Sequence, residues 1–182
     1  SIRQVLEDCG ANDTQAVQVS GPSGICVAEN EFDRIIGFED IPTAGAFTIF
    51  DKTRDMFQVA RNYVHFFQHE SCGFCTPCRV GTSLLKNLMD KLHNGCGSPY
   101  DFTEIEKLNQ LLQSMSHCGL GHTACNPVLD TIAKFRPYYD QRMTQQDFTP
   151  AFNLDRALAA ARQMTGRDDA AAHLSTEHGG AA

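Results

Sequence analysis

Positive charge is scarce in this 182-residue chain. Fifteen Lys and Arg face 22 Asp and Glu, a formal net charge of -7. A protein that grips a phosphate backbone needs clustered Lys and Arg, so no nucleic-acid partner is expected. Long apolar runs are missing as well. No stretch approaches the ~20 residues that a membrane helix requires, which argues against direct membrane insertion. Ser1-Ile2-Arg3-Gln4 shows no charged leader followed by a hydrophobic stretch, so the expected location is the cytoplasm. Neither a glycine-rich dinucleotide fingerprint nor a P-loop occurs, and we find no internal repeat. What remains is 42% hydrophobic and 20% charged, enough to bury a core.

The organisation changes near residue 50. Residues 1–50 carry eight acids and two bases, whereas residues 51–150 carry ten of each. In the first part Ile2 to Cys9 reads as helical. Ala16–Ser20, Ile25–Val27 and Ala46–Phe50 read as strands, with a turn at Gly21-Pro22-Ser23-Gly24. Beyond residue 52 the period is helical. Met56, Val59, Ala60, Tyr63 and Phe67 share a stripe, giving a first long helix over Lys52–Gln68. Leu84, Leu85, Leu88, Met89 and Leu92 mark a second, with Thr76 as its cap and Pro77 at its first position. Ile105, Leu108, Leu111, Leu112 and Met115 mark a third, opened by Asp101 and Glu104. Val128, Leu129, Ile132, Phe135 and Tyr139 mark a fourth, capped by Asn126. The fold class is therefore α+β: a small mixed unit over 1–50, then a four-helix bundle over 51–143 with antiparallel neighbours. Residues 144–154 read as a linker, Leu154–Met164 as a short Ala-rich helix, and 166–182 as a mobile tail.

Eight cysteines are many for such a chain, and three fall within seven residues: Cys72, Cys75 and Cys78. A secreted disulfide framework would spread its cysteines, so the triplet reads as a metal or cluster site. Thiolates two residues apart converge on one centre. Iron–sulfur proteins add a more distant fourth cysteine, while zinc sites more often pair two separated Cys-x2-Cys or Cys/His units. One cluster of four irons and four sulfides is favoured. Zinc is the metal competitor, with His117 or His122 as a fourth ligand. Helix geometry ranks the fourth cysteine. The second helix rises about 1.5 Å per residue away from the triplet, leaving Cys96 roughly 25 Å from Cys78. The third helix returns, and Cys118 follows it directly. Cys118 ranks first, Cys125 in the next loop second, and Cys96 is improbable.

Other candidates weigh less. His65 and His69 lie four apart on the first long helix, but Phe66 stands where a zinc protease needs Glu, so packed or surface histidines are expected. Cys9, Cys26 and Cys96 read as small apolar side chains. The 21–24 turn could approach a phosphate, but an ordinary tight turn is favoured. Arg79 sits poorly at a helix N-terminus on dipole grounds, so it is either compensated by a nearby anion or simply solvated.

Glu70-Ser71-Cys72-Gly73-Phe74-Cys75-Thr76-Pro77-Cys78-Arg79-Val80-Gly81 resembles the cluster motif of the NADH-oxidising flavoprotein subunit of respiratory complex I. It is similar too to the diaphorase subunits of NAD-linked hydrogenases and formate dehydrogenases. Ser116-His117-Cys118-Gly119-Leu120-Gly121, continuing to Asn126-Pro127-Val128-Leu129, resembles that family's fourth-ligand segment, and residues 21–24 and 45–50 resemble its small β-grasp-like domain. The resemblance implies a four-helix bundle holding one 4Fe-4S cluster on Cys72, Cys75, Cys78 and Cys118, fed from a flavin. FMN and NAD(H) would belong to a domain absent from this chain, as would the first β-grasp strands. The chain is then expected to be catalytically incomplete. Its partners would be the flavin/NADH-binding domain of the same subunit and an adjacent iron–sulfur subunit. The expected role is a single-electron relay in an NAD-linked oxidoreductase. The alternatives are a structural zinc or interaction module, and a thiol-redox protein using Cys72 and Cys75.

Overall fold

The computed structural model describes residues 1–144 and 154–168. It divides into two compact units, Ser1–Gln145 and Gln146–Ala182. Of the expected linker and tail, residues 145–153 and 169–182 lie outside the described residues. Within the second unit, Leu154–Thr165 forms the expected helix, with one residue more than the sequence pattern suggested.

The first unit opens with α1 (Ile2–Asp8), capped by the Ser1 hydroxyl, which accepts from the Gln4 N–H at 3.3 Å. Three antiparallel strands follow, β1 (Thr14–Val19), β2 (Ile25–Ala28) and β3 (Phe47–Asp51), in the order β2-β1-β3. Strand β1 is buried on both faces. Val17 and Val19 pack with Ile2, Leu6, Val27, Phe32 and Ile41, while Ala16 on the opposite face packs with Cys26 and Met56. That second face ties the sheet to the helices. The Cys26 N–H donates to Asp130 at 2.9 Å, and Lys134 donates to the Cys26 carbonyl at 2.5 Å. The 21–24 turn is also a docking point, since its Ser23 carbonyl accepts from the Asn126 amide at 3.2 Å. The favoured reading of this turn as structural is consistent with that contact.

The helices are α2 (Met56–Glu70), α3 (Thr76–His93), α4 (Pro99–Met115), α5 (Gly119–Thr123), α6 (Asn126–Lys134) and α7 (Arg136–Asp140). Several starts differ from the sequence expectation. Helix α2 begins at Met56 rather than Lys52, because Asp55 caps it by accepting from the Phe57 and Gln58 N–H groups. Cys75, not Thr76, is the cap residue of α3, and Pro77 sits in its first turn. Helix α4 starts earlier than expected, with Ser98 at the cap. The Asp101 carboxylate accepts from the Ser98 N–H at 2.8 Å and from its hydroxyl at 3.0 Å, so Asp101 closes the box that Glu104 was expected to close. The expected fourth helix is broken at Phe135 (φ -130°, ψ 39°). Pro137 offers no N–H and its ring conflicts with the carbonyl four residues back, so α6 cannot run on into α7.

These helices share one apolar core. Phe57, Val64 and Phe67 of α2 meet Leu85, Met89 and Leu92 of α3, Ile105 and Leu112 of α4, and Val128 of α6. Tyr139 of α7 is fully buried, edge-on to Phe57 at 5.1 Å, with its hydroxyl 2.6 Å from Thr131 Oγ1. Gly81 lets α3 and α4 approach closely, since a Cβ there would lie 3.0 Å from Leu112. Leu84, Leu111 and Met115, expected on the buried stripes, are exposed instead. Among the described residues no helix is long and apolar enough to cross a membrane.

Candidate metal centre

The triplet lies where α2 hands over to α3. Helix α2 stops at Glu70 because Ser71 is extended (ψ 121°), and Gly73 takes a left-handed φ of 77° that turns the chain back. A side chain is disfavoured in that conformation, which explains glycine between Cys72 and Cys75. Cys78 falls in the first turn of α3. Helix α3 then runs away and α4 returns, delivering Ser116, His117 and Cys118, with Cys118 as the cap residue of α5.

The four cysteines differ in exposure. Cys78 is buried, Cys75 is half-buried, and Cys72 and Cys118 are exposed. Burial pushes the Cys78 thiol up. A hydrogen bond with the Ser71 hydroxyl at 3.3 Å works against this, and the thiolate charges of Cys75, Cys118 and Cys72 add to the rise. Cys75 moves the other way. The His117 backbone N–H bonds to its sulfur and lowers its pKa against some desolvation, helped by the N–H groups of Cys78 and of Cys75 itself. The loop that carries Cys118 therefore also supplies a donor to the triplet. The open N–H groups at the start of α3 suit an anionic occupant in the same way.

The remaining candidates are elsewhere. Cys96 is exposed beyond the far end of α3, its sulfur 3.6 Å from the Asn94 carbonyl. Cys125 is fully buried in the core, where desolvation pushes its thiol up to about 12. The His117 ring meets Phe74 edge-on at 5.3 Å, and His122 donates through Nε2 to the Ser116 carbonyl at 2.7 Å. His65 bonds Asp90 and His69 bonds Glu70, so the helical pair does not converge. Arg79 donates to the Gly73 carbonyl and to Thr76 Oγ1, which makes it a clamp on the cysteine loop.

The donor set can be tested against what it might hold. Among the described residues, no three His, Cys, Asp or Glu side chains gather tightly enough around one point for a single ion. Zinc draws its ligands to about 2.0–2.3 Å. Cysteine thiolates are equally the donors of iron–sulfur clusters, so the donor set fits such a group by its chemistry. Ser116 Oγ is buried with no hydrogen-bond partner, an orphan of the kind an unseen group would satisfy. Gly121 keeps this wall thin, because a Cβ there would come within 2.3 Å of Ser116 Oγ and 3.3 Å of Cys78 Cβ. Sequence reasoning did not single out Ser71, Ser116, Gly121 or the His117 N–H. Their sequence signal is their place within the two cysteine-bearing motifs.

A cysteine-lined site at the end of a helical core defines an iron–sulfur-binding module. Residues 58–142 match the NADH-ubiquinone oxidoreductase-F iron–sulfur binding region. The chain is 37% identical over 161 residues to the alpha subunit of the NAD-reducing hydrogenase HoxS of Cupriavidus necator, covering 87% of this chain and 27% of that protein. It is 32% identical over 151 residues to the NADP-reducing hydrogenase subunit HndC of Solidesulfovibrio fructosivorans, covering 77% and 31%. It is 29% identical over 143 residues to the mitochondrial NADH dehydrogenase [ubiquinone] flavoprotein 1 of Dictyostelium discoideum, covering 75% and 30%. The crystal structure of an NAD+-reducing [NiFe]-hydrogenase in the H2-reduced state superposes with a TM-score of 0.71 at 43% identity, covering 89% of this chain and 29% of that one. The chain belongs to the family of NADH-oxidising subunits shared by complex I and NAD-linked hydrogenases, and it matches their C-terminal part. It spans under a third of the length of these relatives.

Proposed function

We propose that Cys72, Cys75, Cys78 and Cys118 hold one 4Fe-4S cluster, and that the chain relays single electrons through it. The observation that carries this reading is geometric: the His117 N–H bonds the Cys75 sulfur, and a Cβ on Gly121 would fall 3.3 Å from Cys78 Cβ, so the segment that carries Cys118 lies against the triplet. Bound there, the cluster supplies one-electron redox chemistry. The chain's own residues do the rest. The cysteines bind, the His117 N–H and the start of α3 stabilise negative charge, and Arg79 holds the loop closed. Burial of Cys78 keeps water from one side of the site.

In this reading residues 1–50 are a β-grasp-like cradle, residues 51–143 a four-helix cluster bundle, and residues 144–182 a linker, short helix and tail. Electrons arrive from FMN, reduced by NADH on a flavin domain outside these residues, and leave to an adjacent iron–sulfur subunit. This chain alone does not oxidise NADH, because it holds no dinucleotide fingerprint. None of the eight cysteines is paired in a disulfide, which suits the reducing cytoplasm.

Anaerobically prepared protein tests the reading. We expect about four irons and about four acid-labile sulfides per chain, with the brown colour of such clusters. Colourless protein carrying stoichiometric zinc would overturn it in favour of a structural metal site.

A further inference from the structure

One hydroxyl bonds Cys78, the least exposed of the four cysteines, and a second lies on the wall formed by Gly121. Ser71 Oγ lies 3.3 Å from Cys78 Sγ and accepts the Gly73 N–H at 3.4 Å. With its lone pair engaged by Gly73, the Ser71 hydroxyl has its proton available for sulfur. A thiolate ligand has no proton of its own to give, so the direction of the bond is fixed: Ser71 donates and Cys78 accepts. Ser116 Oγ is buried without a partner, and the position that a Gly121 Cβ would take lies 2.3 Å from it and 3.3 Å from Cys78 Cβ. An unpaired buried hydroxyl is unfavourable, so its place on the Gly121 wall calls for an acceptor.

We propose that Ser71 and Ser116 are positioning residues that set the reduction potential of the bound cluster, Ser71 by donating to the Cys78 thiolate and Ser116 by donating to the group that the cysteines hold. This rests on the cluster reading above. Reduction adds one electron and raises the negative charge on sulfur. A hydrogen-bond donor stabilises the reduced form more than the oxidised one, and hydrogen bonds to sulfur are among the factors that set such potentials. The low exposure of Cys78 strengthens the effect, because water competes poorly for its sulfur. Both hydroxyls therefore hold the potential up.

The test is potentiometric titration of the full chain, loaded anaerobically and reduced by dithionite through redox mediators, with the electron paramagnetic resonance signal of the reduced cluster as readout. Iron and sulfide content are measured first on wild-type protein, and a wild type without a cluster rejects the underlying reading rather than this one. Ser71→Ala and Ser116→Ala should each shift the potential to more negative values at unchanged iron content. Ser71→Thr, which keeps the hydroxyl, should restore the wild-type value. Ser114→Ala, on the exposed side of α4 where its hydroxyl bonds the Gln110 carbonyl, should leave it unmoved. An unchanged or more positive potential in either alanine variant overturns the role of that residue. If Ser71→Ala loses the cluster, retention in Ser71→Thr supports the hydroxyl's role, and loss in both overturns it.

Discussion

Arg79 reaches back from the first turn of α3 and donates to the Gly73 carbonyl 2.5 Å away, so the helix that presents Cys78 also holds the loop that presents Cys72 and Cys75. A second bond, to Thr76 Oγ1 at 3.3 Å, fixes the plane of the guanidinium. The sequence leaves open whether this arginine compensates an anion or merely faces water. It is exposed, yet its donors are committed to the cysteine loop.

Arg79→Ala should therefore loosen the loop without unfolding the helices. Losing a hydrogen bond from a charged donor at an exposed site is worth about 1 kcal/mol, or about a fivefold rise in the open form. We expect cluster loss in air to accelerate by about that factor, with helicity by circular dichroism unchanged. An unaltered bleaching rate would reject the clamp.

Gly121→Ala attacks the site from its other wall. The added Cβ would sit 2.3 Å from Ser116 Oγ and 2.5 Å from Ser116 Cβ, so the Ser116–Cys118 segment must move. Overpacking of this kind costs about 1–3 kcal/mol. Iron retention should fall while thermal stability of the helical core changes little. Wild-type iron content in this variant would show that the segment yields without displacing Cys118.

The choice of fourth ligand can be separated from general damage by three substitutions. Cys118→Ser should abolish or remodel the cluster. Cys96→Ser should leave it intact, because Cys96 lies beyond the far end of α3. Cys125→Ala should lower stability by about 1 kcal/mol, through a small cavity in the core, yet retain iron. Loss of iron in Cys125→Ala with retention in Cys118→Ser would reverse the assignment.

The helical period and the cysteine spacing make much of this legible from the sequence. Apolar stripes locate α2, α3 and α4 to within a few residues, because each is long enough to repeat its pattern several times. Short features escape. The five residues of α5 cannot establish a period, and the break at Phe135 is hidden because Val128 to Tyr139 keep a continuous stripe across it. Pro137 is the available signal. Cap positions slip by a residue or more, since Asp55 and Ser98 compete with equally plausible neighbours until the chain's path is known. At the site, the cysteines announce themselves by type and spacing. Ser71 and Ser116 do not, because their role depends on which atoms meet after two distant loops converge.

One further element is invisible in the sequence and gives a pH-dependent test. Asp90 on α3 accepts from Arg61 Nε at 2.8 Å, from His65 Nε2 at 3.0 Å and from Lys86 Nζ at 2.7 Å, joining α2 to α3 along their length. Partial burial alone would raise its pKa. The hydrogen bonds from Lys86, Arg61 and His65, with the charge of Arg61, outweigh that and hold the carboxyl well below the usual carboxylate range. The sign follows from linkage. A carboxyl depressed in the folded state adds stability in full above its unfolded pKa of about 3.9, and loses it as pH falls towards the folded value. Asp90→Asn keeps the shape and removes the charge. We expect it to destabilise the protein by about 1.5–3 kcal/mol at neutral pH, the range for hydrogen bonds to a charged group, with partial exposure favouring the lower end. Urea unfolding of metal-free, reduced wild type and variant at several pH values isolates this contribution from acid lability of the cluster. The gap between them should be constant from pH 7 to about 5 and should narrow below about 4. A gap that stays the same through the acid range would mean that packing, not the ionised carboxylate, is what Asp90 contributes.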